Sequence, residues 1–84
     1  MHDFEVGDTV WIRTDVPENL DYAYEHYGGY TGPFIIREIY NPYKKLVAKL
    51  NRPDGRKFNN GAFLERLRPD VFMTAARRAV NGAA

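Results

Sequence analysis

The sequence predicts a small, mainly β domain: a barrel of five short strands over residues 1–69, a long loop after the first strand, and a short helical tail over residues 70–84. Three observations carry this. Short runs rich in Val, Ile and aromatic residues recur with a turn signal every ~8–12 residues, the spacing of small all-β folds. The stretch Gly32-Pro33-Phe34-Ile35-Ile36-Arg37-Glu38-Ile39-Tyr40 reads as a strand with little competition, because Pro33 ends whatever precedes it and β-branched and aromatic residues follow. Finally, 84 residues make one domain, of which only about 60–65% of the unfolded surface can be buried. Six Tyr, five Phe and one Trp must supply much of so small a core, since there is no cysteine for disulfides or thiolate-bound zinc.

The first strand follows the turn signal Gly7-Asp8. In Thr9-Val10-Trp11-Ile12-Arg13 the alternation puts Val10 and Ile12 on the core face and Thr9, Trp11 and Arg13 on the other. An outward Trp11 is either covered by a loop or the tail, or is a contact residue. Residues 15–31 show no sustained period and are punctuated by Pro17, Gly28 and Gly29, with a helical turn near Glu18–Tyr24 as the one local alternative to loop. Tyr22, Tyr24, Tyr27 and Tyr30 crowd this segment. Tyr22 and Tyr24 suit a ring cap over the end of the barrel, and Tyr27 and Tyr30, beside the glycines, suit binding a partner.

After the strand at 34–40, Asn41-Pro42-Tyr43-Lys44 is a turn and Lys45–Leu50 a third strand, with Leu46, Ala48 and Leu50 inward and Lys45 and Lys49 outward. Pro53-Asp54-Gly55 is a tight turn that leads to a short fourth strand at Arg56-Lys57-Phe58. Residues 62–69 read as a turn of helix followed by a final short strand. Asp70 is an N-cap for a tail helix in which Phe72, Ala75, Ala76, Ala79 and Val80 share one face, with Asn81-Gly82 as its stop. So short a helix is marginal alone. It must dock on the barrel, on a partner, or on a second copy as a homodimer. Arg77 and Arg78 near its end either complement the helix dipole or contact a partner.

The net charge of +1 conceals an asymmetry. Residues 1–32 carry seven carboxylates and one cation, a net −6, and residues 33–84 carry a net +7. Either the halves neutralise each other across the fold, or the molecule is dipolar with a face suited to an anionic partner. No enzyme constellation appears: His2 and His26 are isolated, the carboxylates are scattered, and there is no phosphate cradle or nucleophile elbow. The expectation is therefore no catalysis and no cofactor. No apolar run approaches the ~18 residues of a membrane span and the N-terminus does not resemble a signal peptide, so a soluble cytoplasmic protein is expected.

Phe4-Glu5-Val6-Gly7-Asp8-Thr9-Val10-Trp11, Gly32-Pro33-Phe34-Ile35-Ile36 and Arg66-Leu67-Arg68-Pro69 together resemble a known succession. It occurs in the C-terminal small barrel of retroviral and gypsy-type retrotransposon integrases, a Src-homology-3-like fold of five strands. The resemblance spans residues 4–69. It implies non-specific DNA binding and protein contacts through outward basic and aromatic residues, here Trp11, Arg13 and Arg37. The catalytic domain of that family has no counterpart, so no integrase activity is implied. The acidic, Tyr-rich segment 15–31 also departs from the family.

Two functions compete. In the first, the barrel binds nucleic acid through Arg37, Lys45, Lys49, Arg52, Arg56 and Lys57, with Trp11 or Tyr43 as a stacking platform. In the second, it is a protein-interaction module or small inhibitor that grips its partner through Tyr27 and Tyr30, with Arg77 and Arg78 on the tail helix.

Overall fold

The computed structural model describes residues 4–42 and 44–82, with residues 81–82 as backbone only. His2 and Tyr43 lie outside the described residues. In chain order the elements are β1 (Thr9–Ile12), α1 (Pro17–Tyr27), β2 (Phe34–Tyr40), β3 (Val47–Asn51), β4 (Ala62–Phe63), a 3-10 turn (Leu64–Arg66), β5 (Leu67–Pro69) and α2 (Val71–Gly82). The five strands pair antiparallel in the order β4-β3-β2-β1-β5, so the last strand lies beside the first. Among the described residues no ladder joins β4 to β5, and the small mainly β domain is an open sheet rather than a closed barrel.

The strand faces follow the alternation. Val10 and Ile12 from β1, Phe34 and Ile36 from β2, and Ala48 and Leu50 from β3 are at most 1% exposed and form the core with Ala62, Leu64 and Leu67. β2 and β3 pair from Ile35↔Asn51 to Tyr40↔Val47, with a bulge at Arg37. The third strand begins at Val47 rather than Lys45, because residues 44–46 run as bend and coil until Val47 meets Phe63 of β4. The fourth strand also differs from expectation. Residues 56–58 contribute a single bridge, Asn51↔Lys57, and Ala62–Phe63 takes the place next to β3. The tight turn at 53–55 takes the Arg56 N–H onto the Asp54 side chain at 3.0 Å, and beyond the bridge the Phe58 N–H bonds the Leu50 carbonyl at 3.1 Å. Of residues 62–69, expected as a helical turn and a final strand, 62–63 are strand β4, 64–66 the 3-10 turn and 67–69 the final strand.

The largest correction is the segment after β1, which is not a loop but an 11-residue helix. Pro17 occupies its first turn, where a missing N–H costs nothing, and Gly28 stops it at φ 62°, with its N–H bonded to the Ala23 carbonyl. Asn19, Ala23 and Tyr27, at i, i+4 and i+8, are its buried face. Asn19 is a polar rivet: its amide donates to the Arg13 carbonyl and its Oδ1 accepts from Arg66, both at 3.0 Å.

Helix α2 begins where expected. The Asp70 carboxylate accepts the Met73 N–H at 3.1 Å, a side-chain cap. Its contact with the sheet is polar: Thr74, 7% exposed, donates its hydroxyl to the Thr9 carbonyl.

Candidate functional site

The structure separates the cations that the sequence groups together. Four of them gather round the 52–57 turn at the end of the β2–β3 pair. Gly55, at φ 94°, closes this turn, and the Arg52 N–H bonds the Arg56 carbonyl at 2.7 Å. Arg37, thrown out by the bulge in β2, donates Nε to Asn51 Oδ1 at 2.9 Å and so leans towards the same turn. Arg52 lies over Tyr30, 4.4 Å from the ring centroid, and within 5.5 Å of Phe58. Arg56 and Lys57 are exposed. Asp54 is the carboxylate of the turn, 3.4 Å from Arg56 Nε. Four cations and one carboxylate leave this rim at +3.

The remaining candidates sit elsewhere. Lys49 is directly opposite Glu38 in the β2–β3 ladder, paired with it at 3.6 Å, and lies 5.2 Å from the Tyr40 ring. Lys45 is tied to Glu65 at 2.6 Å and lies over Phe63, at the β4 edge. That bond and the neighbouring charge hold the Glu65 carboxyl below its usual range. Arg13 pairs with Asp15 at 3.0 Å. Trp11 is half-buried, its indole N–H donated to Asp70 at 3.0 Å and its ring facing Arg68 at 5.4 Å. Gly32 passes so close that a Cβ there would meet Trp11 Cε3 at 2.8 Å. Trp11 is thus roofed by the start of the tail and by the loop before β2.

The tyrosines proposed for binding are structural in their contacts. Tyr27 is 4% exposed, with its ring on Phe34 and Phe58 and its hydroxyl donated to the Asn60 carbonyl at 2.9 Å. Burial pushes its phenol far above the ordinary range. Its ring presents no surface to a partner. Tyr30 packs on Phe34, and burial raises its phenol too. The Tyr22 hydroxyl bonds the Gly61 carbonyl. These rings pin α1 to the 58–61 segment over one side of the core. Tyr24, 75% exposed, is the tyrosine of α1 that faces outward, beside exposed Glu18, Asp21 and Glu25.

Arg77 and Arg78 are partly exposed, but their guanidinium groups face the start of β1. They converge on Asp8, which is 1% exposed, with Nη2 atoms at 2.6 and 2.7 Å from its two oxygens. Glu5 lies 3.5 Å from each. Sequence reasoning misses Asp8 as their receptor and Tyr40 as the ring under Lys49. The alternation of β2 and β3 places Tyr40 and Lys49 near each other, but nothing local announces the role of Asp8.

The charge asymmetry is thus partly cancelled and partly real. Arg77 and Arg78 answer Glu5 and Asp8, yet the acids of α1 and the cations of the 52–57 rim do not pair with one another. Among the described residues no three His, Asp or Glu side chains group to hold a metal ion, and no helix is long and apolar enough to cross a membrane. Comparison with known proteins finds no match, whether to a protein family, a curated protein or a solved structure.

Proposed function

We propose that this chain is a non-enzymatic, cytoplasmic, Src-homology-3-like module that binds nucleic acid through the basic rim formed by Arg37, Arg52, Arg56 and Lys57. The observation that carries the reading is that Arg52, Arg56 and Lys57 of the 52–57 turn, with Arg37 bonded to the adjoining Asn51, answer to the single carboxylate of Asp54. Arg52 lies over the Tyr30 ring, 4.4 Å from its centroid, a contact that restricts its guanidinium. Phosphate oxygens are the natural ligands of such a cluster, and contacts of this kind are independent of base sequence. DNA is the favoured polymer because of the resemblance to integrase C-terminal barrels. The position of β5 beside β1, after a single 3-10 turn, supports a fold of that type. Lys49, Arg13 and Lys45 lie away from this turn, each beside a carboxylate of its own, and contribute less.

The test is a fluorescence-anisotropy titration against short duplex and single-stranded DNA and RNA between about 50 and 200 mM salt. Three or four phosphate contacts give a log–log salt slope of roughly −3 to −4 on duplex DNA. Absence of binding at the low-salt end would remove the reading.

A second reading, a protein-interaction module or small inhibitor, is favoured by the outer face of α1. Glu18, Asp21 and Glu25 there surround Tyr24 in an acidic, aromatic patch suited to a basic segment. Binding of a Lys/Arg-rich peptide that is lost in the Asp21→Lys, Glu25→Lys double variant would identify it.

A further inference from the structure

We infer that Asn51, with Arg37 and Lys57, forms a seat for one phosphate group, in which the Asn51 side-chain amide donates to a phosphate oxygen. The inference rests on the nucleic-acid reading for the source of that phosphate, the sugar–phosphate backbone. It adds to the rim a contact that carries no charge.

Asn51 is the residue at which the rim's strands meet. Its backbone pairs with Ile35 of β2 on one side and bridges to Lys57 on the other. The Phe58 N–H to the Leu50 carbonyl at 3.1 Å and the Arg52 N–H to the Arg56 carbonyl at 2.7 Å hold this hairpin before and after the bridge. Leu50 is fully buried, so its neighbour Asn51 points to the outer face of the sheet. Lys57, directly opposite Asn51, shares that face. Arg37 reaches the same face from the bulge in β2, since its Nε meets Asn51 Oδ1 at 2.9 Å. Arg52, one residue further on, turns the other way and lies over Tyr30.

The chemistry of the three groups is one-sided. A guanidinium has donors only, so the Asn51 atom that faces Arg37 is its oxygen. The Asn51 amide nitrogen is thereby directed away from Arg37, and its two N–H groups have no acceptor among the described residues. The Nη groups of Arg37 and the ammonium of exposed Lys57 likewise meet no acceptor among these residues. One face thus presents an amide, a guanidinium and an ammonium, all donors. A phosphate, whose ionised oxygens accept, is the complement of such a set. The nearby carboxylates are engaged with other cations: Glu38 with Lys49 at 3.6 Å, and Asp54 with Arg56 at 3.4 Å. Arg37 and Lys57 therefore leave the seat with two positive charges.

The test follows the side-chain amides of the isotope-labelled full chain by NMR. One titration uses inorganic phosphate against chloride at matched ionic strength, and a second uses short duplex DNA at about 50 mM salt. The Asn51 amide resonances should shift with both. Asn51→Ala should weaken DNA binding about tenfold, the scale of one hydrogen bond to a charged group, with the salt slope unchanged because a neutral amide displaces no counterion. Asn51→Asp keeps an oxygen for Arg37 but replaces the donor with a charged acceptor. It should bind more weakly still, with a slope shallower by about 1. DNA binding that leaves the Asn51 amide unmoved overturns the inference and spares the rim, as does an Asn51→Ala chain with the parent's affinity. Phosphate shifts without DNA binding would retire the nucleic-acid reading and leave the seat to a phosphate on another molecule. Silence towards both ligands overturns both.

Discussion

Arg77 donates to the carboxylate of Asp8 at 2.6 Å across 69 residues of sequence, and Asp8 is 1% exposed. Arg78 takes the other oxygen, and the Glu5 backbone N–H also bonds this carboxylate at 3.0 Å. The carboxylate thus organises the entry to β1 and anchors α2 at once. Bonds between a guanidinium and an ionised carboxylate are roughly twice as strong as neutral ones.

Asp8→Ala removes the buried carboxylate that both guanidinium groups share and leaves them Glu5, 3.5 Å from each. Breaking a buried pair costs about 3–5 kcal/mol, and the 30% and 42% exposure of the two arginine side chains reduces this to about 2–4 kcal/mol. Thermal denaturation should show the loss. Hydrogen exchange should show fast exchange throughout α2 while the β2–β3 pair keeps its protection. Equal loss in both regions would mean that Asp8 holds the whole domain rather than the helix.

Gly32→Ala is expected to destabilise by about 1–3 kcal/mol, the cost of forced overpacking. Its φ of 134° is a conformation that side chains avoid, and the new Cβ would drive into the Trp11 ring. The emission of Trp11, the only tryptophan, reports the displacement directly.

Burial of Tyr27, and to the same sign that of Tyr30, weakens the fold at alkaline pH. Desolvation raises the native Tyr27 phenol above the unfolded value near 10, so the native state holds its proton where the unfolded state releases it. Its contribution is complete below about pH 10 and is lost progressively above it. Tyr27→Phe should cost about 1 kcal/mol at neutral pH for the bond to Asn60, yet move the alkaline unfolding midpoint upward relative to its neutral stability. Urea denaturation at pH 7 and above pH 10 separates the two effects.

Tyr27 and Asp8 also show where the sequence is legible. The faces of β1 and β3 follow from strict alternation, since Val10/Ile12 and Ala48/Leu50 repeat at the period of a strand, and the cap at Asp70 is a local signal for a local structure. Helix α1 is hidden because its buried face is only Asn19, Ala23 and Tyr27: one polar, one small and one amphipathic residue give almost no hydrophobic period. Pro17 and Gly28 are its start and stop, but both are equally at home in a loop. Tyr27 is then placed by α1, so its burial is illegible for the same reason. Asp8 is illegible for another reason, since Gly-Asp reads as a turn whether or not two arginines arrive from the far end of the chain.

The basic rim predicts an unequal response to charge reversal. Arg56→Glu with Lys57→Glu removes two exposed cations without touching the core, and should weaken duplex DNA binding by more than tenfold at low salt. It should also make the salt slope shallower by about 2, one unit for each phosphate that the variant no longer neutralises. Lys45→Glu lies at the β4 edge with Glu65 as its partner and should leave both quantities near their parent values. A uniform loss across the three sites would mean that net charge alone drives binding, and the rim would lose its special status.

Asp70 and Trp11 supply the acid counterpart of the tyrosine prediction. The indole N–H first, and the Met73 backbone N–H with it, stabilise the ionised Asp70 carboxylate and hold its pKa below the ordinary value. A depressed carboxylate contributes stability above its unfolded pKa near 3.9, and loses it as pH falls through the native value. The cap of α2 and the tether on Trp11 should therefore survive to pH 4 and fail together below it. Trp11 emission, followed from pH 6 to pH 2, should stay constant at first and then change with a midpoint under 3.9. Asp70→Asn keeps one side-chain oxygen, so it holds either the Met73 cap or the Trp11 tether but not both, and because it cannot titrate its emission should lack that transition. A transition that persists in Asp70→Asn would assign it to the acid unfolding of the whole sheet, with Asp70 a bystander.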